Sequence, residues 1–294
     1  MADPADAVAV PRLEIPARLA ATLVLVRHGE STWVAQGRFQ GSQDPPLSEL
    51  GRRQASLVAQ RLGQRDERTP LPIPVGPPVG IWHSPLARAA ESARIIAAHQ
   101  ATAIVLHAND GLTEIAQGEW EGRHQSEVRS RWPNELAAWR RTPARSHAPG
   151  GEPLVDAAER VRRGLGAILS ELLRLPDGGR HSTTPSDEPM ASSLPAYDAV
   201  PGYPSAVTQA DVPAEPWGLL VAHDGVFRLV LINLLGLPIE RFWSFPFNLA
   251  AITVVALHEG VAALRAHNLT DHLEPLEAEE RAAQEARGER RGAL

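Results

Sequence analysis

The chain reads as an α/β domain on a mostly parallel sheet, for three reasons. Its apolar runs are short and continuous, as in strands covered on both faces, and do not alternate as half-exposed strands do. Several of these runs stop abruptly at polar residues, among them Arg27-His28 and His223. Strand-like runs alternate with helix-like stretches along most of the length, the order expected of βαβ units.

Val24-Leu25-Val26 opens into Arg27-His28-Gly29-Glu30-Ser31-Thr32-Trp33 and is the first strand and its polar edge. In parallel sheets ligands sit beyond the carboxyl ends of the strands. Gly29 permits a sharp turn or a close approach to a ligand. Residues 34 to 46 form a Gly- and Pro-bearing loop, and Ser48 is the N-cap of a helix with Leu50, Ala55, Leu57, Val58 and Leu62 on its apolar face. Residues 64 to 78, rich in proline and charge, read as a surface loop. Val79-Gly80-Ile81-Trp82 is the second strand, ending in His83-Ser84, and an Ala-rich helix runs from Leu86 to His99. Ala103-Ile104-Val105-Leu106 is the third strand. Helices are expected over residues 123 to 141 and 152 to 174, separated by Pro143, Pro149, Gly150 and Gly151.

From Pro176 to Pro216 the composition shifts to Ser, Thr, Pro, Asp and Gly. Such a stretch buries too little surface to offset its ordering entropy and reads as a disordered or loosely attached insertion. Order resumes at Trp217-Gly218-Leu219-Leu220-Val221-Ala222, then His223, a helix from Gly225 to Leu235, and strands Ala251 to Leu257 and Val261 to Arg265 around Glu259-Gly260. The expected division is a loose N-terminal tail (1–20), one domain (21–272) carrying the insertion (176–216), and a charged C-terminal tail (273–294).

Composition excludes several chemistries. There is no cysteine, so no disulfide, thiolate metal site or cysteine nucleophile. All 29 basic residues are arginines, so a P-loop or Schiff-base lysine is impossible and any anion must be held by Arg, His or backbone N–H groups. The net charge of −6 offers no general attraction to nucleic acid or anionic membrane. No signal-peptide pattern or membrane-length apolar run is present. The expectation is a soluble, cytoplasmic protein acting on a small molecule.

The remaining residues fit phosphoryl transfer. That reaction needs charge neutralisation around three oxygens and an in-line nucleophile. Arg27 and Arg88 suit the first task, since a guanidinium can hold two phosphate oxygens. A neutral imidazole is a competent nucleophile, and His28 is the candidate. Glu114, between Leu112 and Ile115, is the candidate acid for the leaving group, and His223 adds a donor. Arg38 and Gln40 either touch substrate or order their loop. Asp224 is either a substrate contact or a solvated carboxylate at a helix start. His83, His99, His107, His124, His147, His258 and His267 show no metal-ligand spacing.

These residues resemble the Arg-His-Gly signature of the histidine phosphatase superfamily, with its phosphoglycerate-mutase-like fold. The resemblance extends through Gly37-Arg38-Phe39-Gln40-Gly41, Asp44-Pro45-Pro46-Leu47-Ser48-Glu49-Leu50-Gly51, Ser84-Pro85-Leu86-Ala87-Arg88-Ala89, Leu112-Thr113-Glu114, Gly118-Glu119-Trp120-Glu121-Gly122, Pro149-Gly150-Gly151-Glu152 and Val221-Ala222-His223-Asp224-Gly225. Arg-His-Gly alone is a weak signal, whereas all these blocks in order are specific. The resemblance implies a three-layer α/β sandwich, transient phosphorylation of His28, a phosphate pocket completed by Arg27, Arg88 and His223, proton donation by Glu114, and no metal or other cofactor. Gln40, Gly41 and Asp224 join Arg27 and Arg88 as implied substrate contacts.

Within that family the sequence looks more like a phosphatase than a cofactor-dependent mutase. The mutase pattern has Asn where this chain has Val34, Arg and Tyr where it has Ile115 and Gln117, a lysine it lacks, and His-Gly-Asn where it reads His223-Asp224-Gly225. Trp139-Arg140-Arg141 does resemble a mutase block, so mutase remains the alternative enzyme. Many phosphatases of the family also carry Asn at position 34, so Val34 and the insertion leave a third reading, a weakly catalytic protein that binds a phosphorylated ligand. Specificity is expected to come from residues 115 to 152 and the insertion. Relatives are often dimeric, making a homodimer the assembly to test.

Overall fold

The computed structural model describes residues 12–63, 70–174 and 215–282; the predicted insertion lies almost wholly outside them. A six-stranded sheet has the order β3-β2-β4-β1-β5-β6. Its strands are β1 (Ala21–Arg27), β2 (Ile81–His83), β3 (Leu106–Ala108), β4 (Trp217–Ala222), β5 (Ile252–His258) and β6 (Val261–Leu269). The first four run parallel, and β5–β6 is an antiparallel hairpin paired to β1. The chain leaves β1, crosses to β2, and only later inserts β4 between them.

The apolar runs are continuous because both sheet faces are covered. Leu23 and Leu25 of β1 and Leu220 and Ala222 of β4 enter one core; Val24 and Val26, with Leu219 and Val221, enter the other. On the first face lie α6 (Leu154–Arg174) and α7 (Asp224–Leu235); on the second lie α2 (Glu49–Gly63) and α3 (Ala87–Ala98). This is the three-layer α/β sandwich that the resemblance implies. In α6, Leu154, Ala157, Ala158, Val161, Leu165, Ile168 and Leu172 form one buried stripe at helical spacing. Among the described residues no helix is long and apolar enough to cross a membrane.

Several boundaries differ from the expectations. Residues 32 to 35 form a one-turn helix, α1 (Thr32–Ala35), capped by Ser31 Oγ on the Val34 amide. Ser48 does cap α2, through the Gly51 amide. Leu50, however, is exposed and Ala59 takes its place in the core. The loop after α2 is not all surface, since Leu71 and Ile73 pack into the second core. The third strand begins only at Leu106, with Val105 exposed. The helix expected over 123 to 141 is two, α4 (Gln125–Arg131) and α5 (Pro133–Arg141). Pro133 supplies no amide to continue α4 but suits the first position of α5. At the N-terminus Leu19 is fully buried, so the residues before β1 are not all loose. At the other end residues 274 to 282 are helical, and Arg53 meets Glu279 at 2.6 Å.

Gly29 serves a close approach, though to the protein itself and not to a ligand. A Cβ on Gly29 would lie 2.2 Å from the Gly51 carbonyl oxygen, and one on Gly51 would lie 2.0 Å from that of Glu30. The first turn of α2 thereby packs backbone against backbone on the segment that follows His28. Gly51→Ala cannot be accommodated without moving that segment. It should destabilise the fold by about 1–3 kcal/mol, read as a lower urea midpoint at unchanged slope.

Candidate active site

Sheet register creates the site. In the β1–β4 pair Arg27 stands opposite Ala222, so His28 and His223, the next residue of each strand, emerge side by side. Their rings lie edge to face with centroids 5.0 Å apart. In the β2–β4 pair His83 stands opposite Val221, and Ser84, one residue on, reaches His223 Nε2 at 2.7 Å. Arg88 arrives on the first turn of α3, which starts just beyond β2. Three adjacent strand ends thus deliver four of the five expected catalytic residues.

A hydrogen bond sets the tautomer of His28. His28 Nδ1 lies 2.6 Å from the Gly29 carbonyl oxygen. A carbonyl only accepts, so Nδ1 carries the proton and Nε2 keeps its lone pair. Ser84 Oγ accepts from the Leu86 amide and is hydrogen-bonded to His223 Nε2. The other ring nitrogen of His223, Nδ1, is buried and has no partner. Both rings are almost fully buried. Burial holds the pKa of each well below the usual imidazole value, and Arg88 and Arg27 lower them further.

The arginines are held by backbone carbonyls, so their charge is not cancelled by a direct ion pair. Arg27 Nη1 donates to the Phe247 carbonyl. Arg88 is fully buried and donates to the carbonyls of Gln43 (2.6 Å) and Gly41 (2.9 Å). Desolvation pulls the Arg88 pKa down to about 10, against the opposing influence of Glu114 and Asp44. The Arg27 pKa is lowered for the same first reason. Each guanidinium keeps a buried Nε without a partner.

Glu114 enters from the loop between β3 and α4. Its Oε1 accepts from the Ile115 amide at 2.9 Å and its Oε2 from the Gly225 amide at 3.3 Å. A Cβ on Gly225 would lie 2.7 Å from Glu114 Oε1 and 2.9 Å from Ile115 Cδ1, so a larger residue there would displace both side chains. Burial raises the Glu114 pKa, the Ile115 amide opposes this, and Asp224 adds a further upward push. A protonated carboxyl is the favoured direction in this setting.

Among the expected substrate contacts, Gln40 Oε1 accepts from Ser31 Oγ, and the Gly41 carbonyl is taken by Arg88. Asp224 is gripped by Arg228 through both oxygens, at 2.9 and 3.1 Å. Arg38 is exposed and donates to Gln36 and the Gly122 carbonyl, so it orders its loop.

Supporting residues went unread in the sequence. Ser84 was visible only as a polar strand end. Ser92 Oγ bridges the Arg88 carbonyl and the Gly29 amide. Glu121 accepts from Ser42, Gln43 and the Gln117 amide, and so fixes the loop whose carbonyls hold Arg88. Arg160 pairs with Glu152 at 2.7 Å and donates to the carbonyls of Asp110, Gly111 and Thr113, the segment leading into Glu114. Among the described residues no group of three or more His, Asp or Glu side chains could hold a metal ion.

A buried neutral histidine beside two carbonyl-held arginines, a second histidine and a carboxyl of raised pKa defines a phosphoryl-transfer site on an α/β sandwich. The chain belongs to the histidine phosphatase superfamily (branch 1), whose family model matches residues 23–174 and 206–270. It is 29% identical over 254 residues to phosphoserine phosphatase 1 of Hydrogenobacter thermophilus, covering 85% of this chain and 93% of that protein. It is 30% identical over 221 residues to glucosyl-3-phosphoglycerate phosphatase of Mycobacterium tuberculosis, covering 75% and 78%. A solved mycobacterial glucosyl-3-phosphoglycerate phosphatase in complex with VO3 superposes with a TM-score of 0.61 at 25% identity, covering 85% of this chain and 99% of that one. Family, fold and relatives make the chain a phosphoric monoester hydrolase.

Arg160→Gln should loosen the approach to Glu114. Replacing a charged donor that serves three carbonyls should lower unfolding stability by about 1–3 kcal/mol, measured by urea denaturation, with a parallel fall in phosphatase kcat.

Proposed function

We propose that this protein hydrolyses a small phosphomonoester without a metal ion, through a phosphohistidine formed on His28. The observation that carries the reading is a pair of buried donors without partners, Arg27 Nε and Arg88 Nε, and an unpartnered ring nitrogen of His223, whose ring lies against a histidine with a free Nε2 lone pair. A phosphoryl group supplies the acceptor oxygens that such donors need, and buried unsatisfied donors are otherwise costly.

In the first step His28 Nε2 attacks phosphorus as the ester P–O bond breaks. Arg27, Arg88 and His223 spread the charge on the equatorial oxygens. Glu114 gives its proton to the departing alkoxide. In the second step water attacks the phosphohistidine, gives a proton to the Glu114 carboxylate, and the N–P bond breaks. Inorganic phosphate leaves, with His28 neutral and Glu114 protonated again. Gly41 holds Arg88 through its carbonyl, Asp224 holds Arg228, and Gln40 accepts from Ser31 Oγ.

The wild type should hydrolyse p-nitrophenyl phosphate equally with and without a chelator. An acid-labile, base-stable phosphoprotein should be trapped by rapid quench. His28→Ala should lose both, whereas a chelator-sensitive rate with no trapped phosphoenzyme would overturn the mechanism.

The pH dependence follows from the two shifts. His28 must be neutral, and its lowered pKa puts the acid limb below the ordinary imidazole value near 6.5. Glu114 must be protonated for the first step, so the rate falls as pH rises through its raised pKa, above the ordinary 4.5. Glu114→Gln should lower kcat on alkyl phosphates by about 10²–10⁴-fold, the scale of general acid catalysis, and remove that alkaline limb. On p-nitrophenyl phosphate, whose leaving group needs little help, the loss should be much smaller.

A further inference from the structure

The loop between the 3₁₀ segment Ile239–Ser244 and β5 reaches the phosphoryl site through its backbone. The Phe247 carbonyl accepts from Arg27 Nη1, and the Ala250 amide donates to the His28 carbonyl at 3.3 Å. The Arg27 amide in turn donates to the Ala251 carbonyl at 3.3 Å. A reverse turn presents these groups, closed by the Ala251 amide on the Asn248 carbonyl at 3.2 Å. Ala250 takes its third position with φ of +56°, a left-handed conformation that a side chain disfavours. Such a backbone persists only where its surroundings fix it.

One short stretch does the fixing, from His267 to His272, where β6 ends and the 3₁₀ turn Asp271–Leu273 begins. Asn268 is itself left-handed, with φ of +55°, which asparagine tolerates better than most residues. Its Oδ1 accepts from the Asn248 amide at 2.6 Å. That amide and the Phe247 carbonyl belong to one peptide group, so Asn268 holds one end and Arg27 the other. The Asn268 amide donates to Thr253 Oγ1 at 3.0 Å, which anchors Asn268 on β5. His272 Nε2 lies 3.0 Å from the Ala250 carbonyl, and a carbonyl only accepts, so Nε2 carries the proton. His272 is seated by its neighbours: Asp271 pairs with Arg61 of α2 at 3.3 Å, and Leu273 enters the second core. The His267 ring adds a third contact, edge to face with Phe247 at 5.0 Å.

We infer that Asn268 and His272 are positioning residues for phosphoryl transfer, each serving a different member of the site. Asn268 fixes the Phe247 peptide and through it the Arg27 guanidinium. His272 fixes Ala250 and through it the strand end that presents His28. Both act through backbone and neither holds the phosphoryl group. The inference rests on the phosphatase reading and adds two residues to it.

Two pairs of variants test it. Asn268→Gly keeps the left-handed backbone and removes the acceptor, whereas Asn268→Asp keeps an acceptor oxygen. His272→Leu removes the donor, whereas His272→Gln keeps one. Asn268→Gly should weaken inorganic phosphate about tenfold, the worth of one charged hydrogen bond, both as an inhibitor of p-nitrophenyl phosphate hydrolysis and in calorimetric titration. His272→Leu should slow phosphoenzyme formation by about 10–100-fold, the scale for a misplaced reacting group, with a smaller change in phosphate binding. Asn268→Asp and His272→Gln should return each quantity toward the wild-type value. Leu172→Ala is the comparator, because Leu172 is buried on α6 beside Gly218, at the far end of β4. It should lower the thermal midpoint and leave phosphate binding and phosphoenzyme formation unchanged. Where His272→Leu does not fold, His272→Ser carries the same expectation with a hydroxyl too short to reach Ala250. The inference is overturned if the Asn268→Gly and His272 variants behave like Leu172→Ala, or if the conservative variants lose as much as the others. If the wild type hydrolyses no phosphate ester, the phosphatase reading fails, and weaker calorimetric binding of phosphate by Asn268→Gly still supports the hold on Arg27.

Discussion

The parallel pairing of β1 with β4 is the constraint on which everything else depends. Its register puts Arg27 opposite Ala222 and leaves His28 and His223 as neighbours, though they are far apart in sequence. A shift of one residue would turn every side chain of β1 to the opposite face. Leu23 and Leu25 would then exchange cores with Val24 and Val26, and His28 would no longer face His223. The apolar filling of two cores therefore enforces the alignment of the polar site. The antiparallel hairpin on the other edge of β1 contributes too, since the Ala250 amide bonds the His28 carbonyl and the Phe247 carbonyl holds Arg27.

Around this frame the protein buries positive charge without cancelling it. Most other arginines with defined partners face a carboxylate, as in Arg52–Glu91, Arg123–Glu127 and Arg162–Glu159. Arg27 and Arg88 face peptide carbonyls, which orient a guanidinium but neutralise it only in part. The cost appears as a lowered pKa at both, Arg88 falling to about 10. Burial first, and the same field second, favour neutral His28 and His223, while at Glu114 burial outweighs the two cations. One arrangement thus favours a neutral nucleophile, a protonated acid and charged oxygen holders together. Those are the states that attack on a phosphate ester requires.

Much of this was legible in the sequence because strand ends announce themselves. Val24-Leu25-Val26 before Arg27-His28, and Leu219-Leu220-Val221 before His223, mark buried strands opening into a polar edge. Both are strands in the structure. Partners that act through backbone were not legible. The bonds of Arg88 run to carbonyls of Gly41 and Gln43, and those of Arg160 to carbonyls before Glu114. A carbonyl is offered by every residue, so no residue type betrays it. Gly29 illustrates the same limit: its need for a missing side chain was readable, but the group filling the space, the Gly51 carbonyl, was not. The break between α4 and α5 was readable from Pro133, which has no amide to continue α4.

The choice between releasing phosphate to water and passing it to a second organic acceptor turns on what surrounds Glu114. A mutase needs groups that hold a second phosphate or a carboxylate just beyond the acid. Here Ile115 is buried in the first core, and its Cδ1 would lie 2.9 Å from a Cβ on Gly225. The Gln117 amide is spent on Glu121. Val34 carries no polar atom in its side chain, and its amide is spent on Ser31 Oγ. Ile115 and Val34 therefore offer apolar side chains, the backbone amides of Gln117 and Val34 are engaged, and the chain has no lysine to add a cation there. A second organic acceptor would find no anchor at these three positions to fix its hydroxyl in line with His28. Water needs no such anchor, which is the physical reason hydrolysis fits this site better than transfer.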